Sequence, residues 1–77
     1  MQVNAEYTDT FCGEANYCWV RRATLPHIPG EKQAATMRRV KREMGLTGYV
    51  GRTHNYGDML EWRPLGMCTV LFVTFTE

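Results

Sequence analysis

At 77 residues the chain is sized for a single small α+β domain, residues 1–77. Its 44% hydrophobic and 12% aromatic content excludes a disordered chain, and its longest apolar run, Val70 to Val73 within Met67–Phe75, is too short to span a bilayer. The formal net charge of +1 hides a dipolar chain: Arg21, Arg22, Lys32, Arg38, Arg39, Lys41 and Arg42 face Glu31 alone, between two acidic flanks.

Residues 3–11 alternate with a period of two. Val3, Ala5, Tyr7 and Phe11 point one way and Asn4, Glu6, Thr8 and Thr10 the other, a half-buried strand in which Asp9 is the one misfit on the apolar face. Cys12 to Asn16 reads as a turn, and Tyr17 to Leu25, rich in aromatic and β-branched residues, as a second strand closing a hairpin. Pro26 and Pro29 end it, because proline cannot donate to a strand ladder.

Glu31 to Met44 carries the helical signal. Ala34, Met37, Val40 and Met44 form one stripe, Arg38 and Arg42 stack on the polar side, and Gly45 is placed to terminate the helix with Leu46 folding back. Gly30 is the expected N-cap. A second hairpin follows, residues 49–54 and 58–63 around Asn55-Tyr56-Gly57, with Leu60 and Trp62 inward and Glu61 and Arg63 outward. Met67 to Phe75 is apolar on both faces, as in the middle strand of a sheet. The order is β-β-α-β-β-β: an antiparallel-rich sheet of about five strands with one helix on one face. One helix of roughly 21 Å covers only part of such a sheet. Trp19, Trp62 and part of the last strand are then expected on an uncovered face, which marks a homodimer or partner surface.

Catalytic and metal signatures are absent from the pattern. No phosphate-binding loop occurs. Gly48-Tyr49-Val50-Gly51 spells the Gly-x-x-Gly of KH modules, but a strand follows it where that module has a helix. The two glycines instead suit a turn and a close strand approach. His27 and His54 are isolated, so neither a metal nor another cofactor is expected. A Cys68–His54 nucleophile and base would require Cys68 to leave the buried-type strand it occupies. Asp58 belongs to a turn and Glu61 to the solvent side. The chain reads as non-enzymatic. Its three cysteines are odd in number and form no Cys-x-x-Cys pair, and residues 1–4 lack the regions of a secretory signal. Both observations point to the cytoplasm.

The basic segment carries the functional reading. Arg38, Lys41 and Arg42 project from the helix, Arg39 is spaced to pair with Glu43, and either Arg21 or Arg22, not both, shares the helix side. Tyr17 and Trp19 are the candidate aromatic anchors, with Tyr49 as a further stacking platform. A solvated helix face matched to its own dipole accounts for the same charges. If the segment binds, its partner is an acidic protein surface or, alternatively, DNA or RNA in a regulatory role.

Gly13-Glu14-Ala15-Asn16-Tyr17 and the later Gly57-Asp58-x-x-Glu61-x-Arg63-Pro64-x-Gly66-x-Cys68 resemble small accessory proteins of bacteriophages and other bacterial mobile elements. Anti-CRISPR proteins are a prominent class among these. The resemblance implies a stoichiometric inhibitor in a bacterial host's cytoplasm that binds a host protein or ribonucleoprotein complex. It assigns no residue a role. The chain lacks the dominant negative surface of the DNA-mimic type, so an inhibitor of this kind would use the basic helix and exposed aromatics.

Overall fold

A computed structural model describes residues 1–76 and has the expected element order. The strands are β1 (Gln2–Phe11), β2 (Glu14–Pro26), β3 (Gly51–Asn55), β4 (Met59–Pro64) and β5 (Thr69–Thr76), with one helix, α1 (Gln33–Glu43), between β2 and β3. All pair antiparallel in one sheet ordered β2-β1-β5-β4-β3. The doubly apolar β5 takes the central place, with Val70, Leu71 and Val73 fully buried.

The helix lies over one face. Met37, Val40 and Met44 from the helix side and Leu46 just beyond it pack on Val3, Ala5 and Tyr7 of β1, Leu25 of β2, Leu60 and Trp62 of β4, and Leu71 and Val73 of β5. Trp62, expected on the uncovered face, is 2% exposed beneath this layer. Its parity with Leu60 sends it to whichever face the helix takes. Ala34 is exposed, and Thr36 fills the stripe in its place.

The helix is shorter than its sequence pattern. Glu31 lies outside it, Lys32 rather than Gly30 is the N-cap, and no side chain caps the first turn. Its C-terminus is a Schellman motif: Leu46 N–H donates to the Lys41 carbonyl at 2.7 Å and Gly45 N–H to that of Arg42 at 3.2 Å. Gly45 sits at φ 75°, where a side chain would be strained. At Gly51 the constraint is space, since a Cβ would stand 2.5 Å from the Arg63 carbonyl oxygen and 2.6 Å from the Trp62 indole nitrogen.

The first hairpin departs most from its sequence reading. Its turn is only Cys12-Gly13, both at positive φ, as in a type I′ turn. Ala15 pairs with Thr10 and Val20 with Thr8, so residues 16–19 bulge opposite Asp9 alone. Asp9 holds the bulge: one carboxylate oxygen accepts Cys18 N–H at 2.9 Å and the other accepts the Asn16 amide at 2.9 Å. These bonds, the Asn16 amide foremost, lower its pKa below the ordinary value. Thr8, expected to face solvent, is fully buried beneath the bulge, and Phe11, expected inside, is 70% exposed at the turn.

Candidate functional site

The register divides the basic segment between two faces. Arg21 pairs with Tyr7 and so takes the helix side, while Arg22 pairs with Glu6 and takes the opposite, open face. Arg22 Nε donates to Glu6 at 3.1 Å. Arg39 does not meet Glu43. Its Nε and a terminal nitrogen both donate to Glu31 at 2.8 Å, and that terminal nitrogen also reaches the Pro26 carbonyl at 3.0 Å. This fork, with the Thr36 hydroxyl adding a bond at 2.7 Å, lowers the Glu31 pKa to about 2 and raises that of Arg39. Arg39 is therefore a clamp between the helix and the end of β2, unavailable to a partner.

Arg38, Lys41 and Arg42 do converge. With Thr47 and Gly48 they line a groove of about 240 Å³ beside the helix C-terminus. Among the described residues none of the three has a carboxylate within ion-pair distance. Lys41 Nζ stands 5.1 Å from the centroid of the Trp62 ring, so the buried indole also braces a cation. Arg38 and Lys41 extend the surface towards Thr53 of β3. Arg21 stands apart from this cluster: β2 lies three strand spacings from β4, roughly 14 Å.

The two aromatic anchors also part company. Trp19, expected on the uncovered face, packs edge-on against the helix-side Tyr7, ring centroids 5.3 Å apart, and stays 41% exposed. Tyr17 turns to the open face beside Glu6, whose acceptor carboxylate is the chief cause of a raised Tyr17 pKa. Its φ of 56° is a left-handed conformation that costs an L-residue about 1–2 kcal/mol. The Thr8 hydroxyl compensates by accepting Tyr17 N–H at 3.1 Å and donating to the Trp19 carbonyl at 2.8 Å. Tyr49 is exposed beside the helix end.

Sequence reasoning expected an uncovered face but missed the row of side chains that occupies it. The register sets Arg22, Glu6, Phe72, Glu61 and His54 in one row across all five strands. Arg63 Nε donates to Glu61 at 2.7 Å, and Tyr56 leans on His54 with ring centroids 4.2 Å apart. The outward parity of Glu6 and Glu61 was visible; their lateral alignment with Phe72 depends on strand order.

Cys68 corrects the sequence reading too, being exposed just before β5. It aligns with Thr10, whereas His54 is level with Phe72, roughly 13 Å further along β5, and lies two strands across on β3, so they form no nucleophile–base pair. No group of three metal-ligating side chains occurs among the described residues, and no helix there is long and apolar enough to cross a membrane. Comparison of the chain with protein-family models, curated proteins and solved structures finds no match.

Proposed function

We propose that the chain is a small non-enzymatic binding protein that captures an acidic protein surface through Arg38, Lys41 and Arg42. Its resemblance to phage accessory proteins extends the proposal to a stoichiometric inhibitor of a host defence complex of the CRISPR type. The observation that carries the reading is the contrast among the cations. Arg22, Arg39 and Arg63 are each tied to a carboxylate of the fold, whereas Arg38, Lys41 and Arg42 sit together without one among the described residues. Planar guanidiniums suit carboxylates because their forked N–H groups engage both oxygens. Lys41 adds a point charge over an immobile indole.

The test is recovery of partners from bacterial lysate by tagged protein and by the double variant Arg38→Glu/Arg42→Glu, each with and without nuclease. A stoichiometric protein complex that survives nuclease and disappears with the double variant is expected. Recovery that persists in the variant removes the helix from the binding surface. Recovery that vanishes with nuclease, with affinity falling steeply in salt, assigns the helix to DNA or RNA instead.

A further inference from the structure

On the open face, Tyr17, Phe72, Met59, Asn4, Glu6 and Arg22 surround a cleft of about 450 Å³. We infer that this cleft holds one unstacked nucleotide of a single-stranded nucleic acid laid across the sheet, on the face opposite the basic helix and independent of it.

The chemistry of the cleft selects the occupant. Phe72, half-buried at the centre of the sheet, offers a flat π face, and Tyr17 supplies a second ring above the Glu6 side. The rim combines an acceptor-only group, Glu6, with a donor-only group, Arg22, whose Nε is engaged while its terminal amino groups make no bond within the described residues. An aliphatic ligand would use the floor and leave the rim unsatisfied. A free anion would use Arg22 and ignore the rings. An unstacked base with its phosphate uses all of them: the ring stacks on Phe72 and Tyr17, a ring or amino N–H of the base donates to Glu6, and the phosphate accepts from Arg22. The face continues beyond one nucleotide. Arg52 pairs with Arg63 on the same side, so a backbone crossing the sheet meets further guanidiniums at β3 and β4. Arg22, Arg52 and Arg63 outnumber Glu6 and Glu61 there, which fits a polyanion more than a second copy of the same face.

Tyr17 is the sign of a built site. Asp9, Thr8 and Asn16 hold its strained backbone in place, and strain so supported belongs to positions where a side chain must be aimed.

The experiment is fluorescence anisotropy of a short labelled oligothymidine, and of its oligouridine counterpart, with the full chain. Phe72→Leu keeps an apolar floor without the π face. Tyr17→Asn removes the second ring with a residue that tolerates positive φ. Each should weaken binding at least about fivefold, on the scale of one lost base–aromatic stack, with unchanged far-UV circular dichroism. Arg38→Gln/Arg42→Gln, which removes the helix charges without reversing them, should weaken binding less than either cleft variant. The assignment is overturned if neither oligonucleotide binds, if both cleft variants bind like the parent, or if the helix variant alone loses binding. Thymidine monophosphate competing as well as the oligomer, or sedimentation showing a dimer that the cleft variants dissolve, would also overturn it.

Discussion

Thr8→Val replaces a fully buried threonine with a side chain of the same shape and greater hydrophobicity, so area reasoning alone predicts a gain in stability. The bonds at this position predict the opposite. The Thr8 hydroxyl is the acceptor for Tyr17 N–H and the donor to the Trp19 carbonyl, and valine orphans both. An unsatisfied buried polar group costs about 1–3 kcal/mol. Tyr17 and Trp19 are partly exposed, so water can reach the freed groups and the lower end applies to each, about 2 kcal/mol together. A domain of this size holds about 4–12 kcal/mol in total. The loss should lower Tm by about 8–16 °C. Thr8→Ser is the comparison, because it keeps the hydroxyl and deletes one buried methyl, at about 1 kcal/mol. Urea unfolding followed by tryptophan fluorescence and circular dichroism should rank the parent first, serine second and valine last, with unchanged m. A valine variant as stable as the parent, or more stable than serine, would refute the claim that this hydroxyl holds the bulge.

Two further predictions concern the frame around the surfaces. Gly51→Ala should cost about 2–3 kcal/mol by overpacking, since its Cβ meets the Arg63 carbonyl and an indole that has nowhere to go. Gly66→Ala, at φ 77° with open space around it, should cost about 1 kcal/mol from backbone strain alone. Equal urea midpoints for the two variants would dismiss the close approach as the reason for glycine. The Glu31 pKa is depressed from 4.5 to about 2 in the folded chain, so its pairing with Arg39 stabilises fully above pH 4.5 and is lost as pH falls from 4.5 towards 2. Glu31→Gln should therefore flatten the acid limb of a stability–pH profile over that interval. An acid limb identical to the parent's would show that the clamp is not linked to folding.

Local patterns were legible where a residue's fate depends on its neighbours in sequence. The alternation of Val3, Ala5 and Tyr7, the doubly apolar β5 and the Gly45-Leu46 stop all act within a few positions. Arg38, Lys41 and Arg42 share a flank because helical spacing requires it. The bulge was not legible, because it is set by a register between residues 8–10 and 15–20. Its trace in the sequence was the polar Asp9 at an apolar position, read as a misfit when it was the stitch. Arg39 was assigned to Glu43 on spacing. Glu31, eight residues away and outside the helix, reaches it because the chain after Pro26 folds back against the first turn. Trp62 was misplaced for a similar reason: parity groups it with Leu60 but does not say which face the helix will cover.

The two candidate surfaces differ in what the fold has already spent on them. On the helix side, one carboxylate, Glu31, is consumed in clamping Arg39, and the neighbouring cations are left to solvent. On the open face, Glu6 and Glu61 each fix an arginine beside the central phenylalanine, so guanidinium planes and aromatic rings are oriented before any ligand arrives. Fixing these groups in advance reduces the ordering entropy that binding must supply. Free charge in water mainly steers encounter and is screened within about 8 Å at physiological salt. The helix is therefore suited to drawing in an acidic partner, and the sheet to selecting a planar one. No residue serves both surfaces, so substitutions on one can be read without disturbing the other.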